Sequence, residues 1–358
     1  MVEILHAADL HLDSAFASLT EEQARQRRQE SRQLLRDMVD FANDHGVQLL
    51  LLPGDLFDGE RIYAQTAPEM TEALGCFTGQ VVIAPGNHDW YSPRSPYART
   101  LWPDNVHIFT GAAMERLSFP QYGCTVYGAA FTGPEMPAPE PFRVPEEDGV
   151  TLLVLHGDVA APGSRYRPLS PEWLAETGAD YVALGHVHSC SGVQYAGKTA
   201  YAYSGCPEGR GFDELDDKGF LWGRVDRDKA ELTFVPFARR RYRILTVDVT
   251  EGDPAEKIAQ ALSGREADIC RVRLTGSVDE RLSLPGLQQQ LQGLAWQLEV
   301  RDETRLRQDL WLHTGEESLR GLFLQQMRRE YDGADADRQR QILQAVEYGL
   351  AAMEGREL

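Results

Sequence analysis

Residues 47–58 read Val-Gln-Leu-Leu-Leu-Leu-Pro-Gly-Asp-Leu-Phe-Asp. The apolar run is short and ends at proline and glycine, which is typical of a buried strand. Five such runs occur in the first 190 residues, at Val2 to Leu5, Val47 to Leu52, Gln80 to Ile83, Val150 to Leu155 and Asp180 to Leu184. Polar, helix-like stretches separate the runs, so this part of the chain is predicted to be α/β.

Each run is followed within about four residues by side chains that can bind a metal. These endings are Asp9-Leu-His11, Gly54-Asp55-Leu-Phe-Asp58, Gly86-Asn87-His88-Asp89, His156-Gly157-Asp158 and Gly185-His186-Val-His188. Because ligand sites in α/β sheets gather beyond the carboxyl ends of the strands, we expect all five groups to share one crevice. Taken singly, Asp9, Asp55 and His156 could equally be a turn residue, a loop acid and a core histidine. A His-x-His pair arises by chance only about 0.2 times in a chain of this composition, so the joint pattern indicates a metal site.

The elements around these runs predict a layered arrangement. Between the first two runs, Ser18-Leu-Thr-Glu21 offers a capping box and Gly46 ends the predicted crossover helix. The apolar stripe of this helix is Leu35, Met38, Val39 and Ala42. Beyond residue 190, strand candidates at Thr199 to Tyr203, Phe220 to Val225 and Glu231 to Val235 predict a second sheet packed on the first.

A basic run, Phe237-Ala-Arg-Arg-Arg-Tyr-Arg243, marks a predicted domain boundary near residue 240. Its arginines fit either a solvated linker or a phosphate contact. Residues 241–314 then alternate strand and helix patterns, which predicts a small α+β domain. Two amphipathic helices are predicted within residues 315–358, from Leu319, Leu322, Phe323 and Met327 and from Ile342, Leu343, Val346, Leu350 and Met353. These helices either pack on their own domain or bind a partner.

Composition limits the classes of function. The chain has 358 residues, of which 42% are hydrophobic and 25% charged, as in globular proteins of more than one domain. No apolar run approaches the roughly 20 residues of a membrane helix, and no signal-peptide pattern is present, so a cytoplasmic protein is expected. The 5 cysteines contain no Cys-x-x-Cys pair, which argues against a disulfide framework or a thiolate zinc site. The net charge of −19 argues against a free-standing electrostatic DNA binder but leaves a nucleic-acid substrate open.

In order along the chain, Asp-x-His, Gly-Asp-x-x-Asp, Gly-Asn-His-Asp, His-Gly and Gly-His-x-His resemble the motifs of the calcineurin-like metallophosphoesterase superfamily. More narrowly, the chain is similar to the SbcD/YhaO-like DNA repair exonuclease subunits. That similarity is carried by His6-Ala-Ala-Asp-Leu-His-Leu-Asp13, by Asp180-Tyr-Val-Ala-Leu-Gly-His-Val-His188 and by Tyr203-Ser-Gly-Cys-Pro-Glu-Gly-Arg-Gly-Phe-Asp-Glu214. The resemblance implies a four-layer αββα metallophosphoesterase sandwich at 1–240, a small α+β capping domain at 241–314 and C-terminal helices at 315–358.

The resemblance also implies two divalent metal ions bridged by Asp55. One ion would be held by Asp9, His11 and His188, and the other by Asn87, His156 and His186. Carboxylate, imidazole and amide ligands without thiolate suit Mn²⁺, with Fe or Zn as alternatives. Two divalent cations carry more charge than the carboxylates that bind them, so the crevice should attract phosphodiesters despite the acidic total.

Two catalytic residues follow from the same resemblance. His88 would assist the leaving oxygen as a general acid or transition-state stabiliser. Asp58 would orient that imidazole, as a carboxylate does in some superfamily members. Related repair nucleases carry His at the position of Asp58, and an acid that stabilises a helix N-terminus is the structural alternative.

The loop Trp90 to Arg99 mixes aromatic residues and arginines, a composition suited to stacking on bases and binding phosphates. Arg94, Tyr97 and Arg99 are therefore candidate substrate contacts. An ordinary packed surface loop is the alternative for the same residues.

Three functions fit the sequence. The preferred one is a metal-dependent phosphodiesterase, a DNA exonuclease that acts on DNA ends in DNA repair with an SbcC-like coiled-coil ATPase bound through residues 316–358. The second is a small-molecule phosphoesterase or cyclic nucleotide phosphodiesterase with the same dinuclear site. The third is a regulatory or scaffold subunit of an ATPase complex with weak activity of its own. A homodimer remains open.

Overall fold

The computed structural model describes residues 1–146, 148–159, 161–215, 217–227, 229–278, 280–306, 310–311 and 313–353. The strands are β1 Val2–His6, β2 Leu49–Leu52, β3 Gln80–Ile83, β4 Val106–Ile108, β5 Glu115–Phe119, β6 Cys124–Gly128, β7 Val150–His156, β8 Tyr181–Gly185, β9 Gln194–Ala196, β10 Thr199–Tyr203, β11 Gly219–Asp226, β12 Lys229–Pro236, β13 Tyr242–Asp248, β14 Ile269–Thr275, β15 Ser277–Val278, β16 Gln297–Asp302 and β17 Arg305–Leu306. The helices are α1 Glu21–Asp44, α2 Thr66–Gly75, α3 Pro96–Arg99, α4 Pro171–Thr177, α5 Pro254–Leu262, α6 Leu284–Gln290, α7 Leu319–Asp332 and α8 Ala336–Met353.

The first sheet contains three of the five predicted strands. Its order is β12-β11-β1-β2-β3-β4, with β1 to β4 mutually parallel and β11 antiparallel to β1. All four leucines of β2 are completely buried. A continuous apolar run is expected for a central parallel strand covered on both faces, so the prediction from residues 47–58 is confirmed.

Helix α1 is the crossover between β1 and β2, as predicted, but it begins slightly later. The Thr20 hydroxyl accepts from the backbone N–H of Gln23, whose side chain accepts from the backbone N–H of Thr20. The capping box therefore joins Thr20 to Gln23 rather than Ser18 to Glu21, because both of its reciprocal hydrogen bonds form between Thr20 and Gln23. The predicted apolar stripe is buried against the first sheet.

The second sheet differs from the prediction in its membership. Its order is β5-β6-β7-β8-β10-β9, with β6, β7, β8 and β10 parallel. The expected strands β11 and β12 instead extend the first sheet beyond β1, and only β10 lies in the second. Local periodicity identified these strands correctly, but it carries no information on which partner each strand will choose.

The two sheets pack face to face, with helices on the outer faces. One apolar core joins Ile4, Leu51 and Val82 of the first sheet to Val126 and Leu152 of the second. A second core lies between the first sheet and the helices α1 and α2, and a third lies between the second sheet and α4. This arrangement is the predicted αββα sandwich, and the fold class is confirmed.

The chain divides into two compact units. The first comprises the described residues of 1–244, 262–271 and 293–298, and the second those of 245–261, 272–292 and 299–358. Within the second unit, α7 and α8 pack together through Leu324, Ile342, Val346 and Leu350. The helices predicted from the terminal apolar stripes are therefore present, while the division into domains at 240 and 314 stays a prediction. Residues 354–358 of the proposed partner-binding region lie outside the described residues.

The basic run after β12 is an ion-pairing segment of the first unit. Arg240 binds Glu30 at 2.6 Å, Arg241 binds Asp217 at 2.9 Å and Arg243 binds Asp268 at 2.5 Å. The neighbouring Arg239 pairs with Asp37. These guanidinium groups therefore have carboxylate partners within the first unit, and the choice between a linker and a phosphate contact stays a prediction.

Candidate metal centre

The polar residues that follow the five strands converge in the first unit. Asp9 and His11 follow β1, Asp55 follows β2, Asn87 follows β3, His156 ends β7, and His186 and His188 follow β8. Ligand atoms of Asp9, His11 and His188 lie within 4.8 Å of one another, as do those of Asp55, His156 and His186. The expected convergence at the carboxyl ends of parallel strands is therefore observed, although the strands come from two sheets.

One half of the centre contains His11 and His188. Their Nε2 atoms lie 3.3 Å apart, and His188 Nε2 lies 3.9 Å from Asp9 Oδ1. Both Asp9 oxygens also accept from the backbone N–H of His186, at 3.0 and 3.1 Å. Two imidazole nitrogens and a carboxylate oxygen thus face one small space.

The other half contains Asn87, His156 and His186. Asn87 Oδ1 lies 2.9 Å from His156 Nε2 and 3.0 Å from His186 Nδ1. Asp55 stands between the halves, because its Oδ2 is 3.4 Å from His156 Nε2 and 3.7 Å from His11 Nε2. One oxygen of Asp55 therefore faces imidazole nitrogens of both halves.

The far side of each imidazole shows whether the residues fit a metal. His156 Nδ1 lies 2.9 Å from the carbonyl oxygen of Pro53, which can only accept, so Nδ1 carries a proton and Nε2 faces the centre. His11 Nδ1 likewise faces Asp58 at 3.1 Å. Ligating histidines in proteins are oriented by such partners on the opposite nitrogen, so this chemistry fits divalent cations.

Backbone strain concentrates at the same place. Asp9, His11 and Asp55 have φ values of 56°, 44° and 52°, in the left-handed region that residues with a side chain seldom adopt. Gly86 packs so tightly that an added Cβ would collide with the Asp55 carboxylate. Strain of this kind persists where the surrounding structure fixes a functional geometry.

The candidate ligands are carboxylates and imidazoles that are buried close together, and this shifts their pKa values. Burial raises the pKa of Asp9 to about 7. Burial alone would lower the pKa of His156, but Asp55 and Asp9 outweigh it and raise that pKa to about 9. A proton on His156 would therefore compete with a cation at this position, and binding of the cation would release that proton.

Comparison with known proteins agrees with this geometry. A family model described as calcineurin-like phosphoesterase matches residues 2–190, which contain all five polar strand ends. The chain belongs to the calcineurin-like phosphoesterase family. It is also 30% identical over 296 residues to the protein named uncharacterized metallophosphoesterase YhaO of Bacillus subtilis (strain 168), across 79% of this chain and 71% of that relative. Members of this family hydrolyse phosphoester bonds and typically bind divalent metals.

In this phosphoesterase, His88 lies beside the candidate metal ligands. Its side chain is 47% exposed, and its backbone N–H donates to Asp55 Oδ1 at 2.9 Å. The ring stands edge-on to His11, with centroids 4.8 Å apart. Asp58 Oδ1 lies 3.6 Å from His88 Nδ1 but 3.1 Å from His11 Nδ1. Asp58 therefore orients the candidate ligand His11 more directly than the candidate catalytic His88.

The loop residues predicted to contact substrate divide into two kinds. Arg94 and Arg99 are exposed. Tyr97 is only 3% exposed, and its hydroxyl donates to Asp89 Oδ2 at 2.5 Å. Its ring packs in the core beside Phe57, so the predicted stacking of Tyr97 on a base does not fit the structure. The pattern of alternating aromatic and basic residues could not separate a core tyrosine from a surface one.

Asp89 is a site residue whose role was not predicted from the sequence. The carboxylate is completely buried and accepts from the backbone N–H groups of Gly86, Asp55, Leu56 and Phe57 at 2.7 to 3.2 Å. It therefore ties the segment that carries Asp55 to the segment that carries Asn87. Its position inside Gly86-Asn87-His88-Asp89 was the available signal.

Three further residues support the ligands from outside. Glu214 Oε1 accepts from His188 Nδ1 at 2.7 Å, and Arg210 Nη2 donates to the same oxygen at 2.7 Å. Asp158 Oδ2 lies 3.5 Å from His186 Nε2. Glu214 and Arg210 lie within the segment Tyr203 to Glu214, but nothing in that segment indicated which ligand they would contact.

Proposed function

We propose that the chain is a metal-dependent phosphodiesterase that degrades DNA from its ends in DNA repair. The convergence of seven candidate ligands beside an exposed His88 carries the phosphodiesterase part of this proposal. The nuclease part is supported by the segments His6 to Asp13, Asp180 to His188 and Tyr203 to Glu214, which resemble the SbcD/YhaO-like exonuclease subunits.

The proposed dinuclear centre uses Asp9, His11 and His188 for one ion and Asn87, His156 and His186 for the other, with Asp55 between them. Two such ions, Mn²⁺ by the chemistry of the ligands, would supply Lewis-acid stabilisation of the charge that develops on the phosphoryl oxygens.

The chain's own residues would position the substrate and move the proton. The exposed imidazole of His88 can donate a proton to the leaving oxygen, and the hydrogen bond from its backbone to Asp55 fixes its distance from the centre. Asp58 holds the His11 ring, and the exposed Arg94 and Arg99 can bind neighbouring phosphates of a DNA strand.

End-labelled single- and double-stranded DNA incubated with the purified chain and Mn²⁺ would test this function. We expect shortening of the strands from one end, no cleavage in excess chelator and no cleavage by an Asp55→Asn variant. Hydrolysis of a generic aryl phosphodiester without cleavage of either form of DNA would remove the nuclease part and leave the phosphodiesterase part.

A small phosphoester or cyclic nucleotide is the second candidate substrate. The net charge of −19 favours it, because a small ligand meets only the local charge of the centre whereas a long DNA strand also meets the acidic surface. Steep salt dependence of kcat/KM for DNA would support the first candidate. Higher kcat/KM for a cyclic nucleotide than for any DNA would support the second.

We also propose that the terminal helices bind a coiled-coil ATPase of the SbcC-like kind. Leu319 and Leu322 on α7, and Tyr348 and Met353 on α8, expose large apolar surfaces. Such surfaces commonly mark protein contacts. Co-purification with that ATPase should require residues 316–358, and equal binding after their removal would contradict the proposal. A homodimer and a cytoplasmic location stay predictions. Among the described helices, none is long and apolar enough to cross a membrane.

A further inference from the structure

Arg210 lies between two carboxylates of the candidate metal centre. On one side, its Nη2 donates to Glu214 Oε1 at 2.7 Å, and its backbone N–H donates to Glu214 Oε2 at 2.7 Å. On the other side, its Nη1 lies 3.6 Å from Asp58 Oδ1. One guanidinium group therefore faces both acids, and its planar fork suits such a double role.

Each of these two carboxylates orients one imidazole. Glu214 Oε1 accepts from His188 Nδ1 at 2.7 Å, and Asp58 Oδ1 accepts from His11 Nδ1 at 3.1 Å. Because the Nδ1 atoms are held on the outside, the Nε2 atoms of both rings point inward, where they lie 3.3 Å apart. Both imidazoles thus face the same position, and an ion held there would also contact Asp9.

The other half of the centre is oriented differently. His156 is held by the backbone carbonyl of Pro53, and His186 faces Asp158. Within the described part of the chain, no hydrogen bond or ion pair joins Arg210 to these four residues. Loss of Arg210 should therefore affect the two halves unequally.

The guanidinium also holds Glu214 in its buried position. The Glu214 side chain is only 7% exposed, and Arg210 is a cationic side chain that pairs with it at 2.7 Å. A buried carboxylate that loses such a partner is strongly unfavourable, so it would turn toward water. That movement would break its contact with His188 Nδ1, and the His188 ring would no longer be held with Nε2 facing the centre.

We propose that Arg210 is a positioning residue for one half of the metal centre. By holding Glu214 and facing Asp58, it fixes His188 and His11 and so strengthens the binding of the ion at Asp9, His11 and His188, but not of its neighbour. This inference rests on the proposed two-metal function. It adds that the two halves of the centre are held by different supporting contacts, and that Arg210 supports only one half.

Titration of chelator-stripped full-length protein with Mn²⁺, followed by calorimetry, measures both sites without any reference to turnover. Wild type should show two binding events, and His188→Ala identifies the event that belongs to the first half. In Arg210→Met that same event should weaken about 10- to 100-fold, the usual effect of removing a supporting partner of a metal ligand, while the other stays unchanged.

Two further variants keep the test decisive. Arg241→Met removes a guanidinium of the same unit that pairs with Asp217 instead, and both of its binding events should match wild type. Arg210→Lys keeps the positive charge but lacks the fork, so it should fold even if Arg210→Met does not, and it should still weaken the first event. Thermal unfolding of the stripped proteins reports whether each variant is folded.

A double-variant cycle tests the route of the effect. Arg210 would act mainly through Glu214, because its Nη2 lies 2.7 Å from Glu214 Oε1 but 3.2 Å from His188 Nδ1. Arg210→Met combined with Glu214→Gln should therefore cost less than the two separate losses of Mn²⁺ affinity added together. Equal weakening of both events would overturn the proposal, as would unchanged Mn²⁺ binding with a raised KM, which would make Arg210 a substrate contact. If wild type itself shows no second binding event, the dinuclear function fails rather than the role of Arg210.

Discussion

Replacing Asp89 with Asn should destabilise the protein by removing acceptors that no other group supplies. In the structure, Oδ1 accepts from the backbone N–H groups of Gly86 and Asp55, and Oδ2 accepts from those of Leu56 and Phe57. An amide keeps one oxygen and turns an NH₂ group toward two of these N–H groups. Since a buried donor without an acceptor costs about 1–3 kcal/mol, we expect the free energy of unfolding to fall by about 2–6 kcal/mol.

Urea unfolding of the chelator-stripped protein at pH 7.5 would measure this loss. Burial, reinforced by the charge of Asp55, raises the pKa of Asp89 to about 6, so at pH 7.5 the native group is a charged acceptor. Asp40→Asn, on the exposed side of α1, is the matched control and should change stability by less than about 0.5 kcal/mol. An Asp89→Asn protein as stable as the control would refute the role of Asp89 in joining the two segments.

Three other perturbations have expected outcomes. His88→Ala should lower kcat about 10²–10⁴-fold with both metal ions retained, as counted by elemental analysis, and loss of both ions would contradict its catalytic role. Tyr97→Phe should lower the free energy of unfolding by about 1–2 kcal/mol and leave KM for DNA unchanged, whereas a raised KM at full stability would restore Tyr97 as a substrate contact. Burial lowers the pKa of His6 from 6.5 to about 3, so below about pH 6 the unfolded chain binds a proton that the folded chain excludes. Wild-type stability should therefore fall by about 1.4 kcal/mol per pH unit more steeply than that of His6→Gln between about pH 6 and 4, and parallel slopes in denaturant titrations would exclude this effect.

The strands and the ligand-bearing segments that follow them could be predicted, because the sequence pattern of each lies within a few neighbouring residues. The run Leu49–Leu52 is apolar on both faces, and Gly54-Asp55 follows it directly, so strand, turn and candidate ligand lie within a few residues. The partners of β11 and β12 could not be predicted in this way. Strand pairing depends on which apolar faces meet across the whole domain. The alternating pattern of a strand is the same whether the strand lies at the edge of the first sheet or of the second.

The residues that support the metal ligands could not be predicted for a related reason. Glu214 contacts His188, which lies 26 positions away in the sequence. Arg210 contacts Glu214 and also lies 3.6 Å from Asp58, which belongs to the distant loop after β2. Nothing in the residue types fixes such contacts, since an Arg and a Glu four positions apart are equally typical of an exposed surface pair. Tyr97 shows the converse, because a residue that suits a binding loop by composition is instead held in the core by Asp89.

Anomalous diffraction from a crystal soaked in Mn²⁺ would test the central claim most directly. We expect two manganese peaks, one contacted by Asp9, His11 and His188 and the other by Asn87, His156 and His186, with an oxygen of Asp55 touching both. A single peak, or manganese found only on the acidic surface while these side chains remain bonded to one another, would contradict the dinuclear centre on which the proposed function depends.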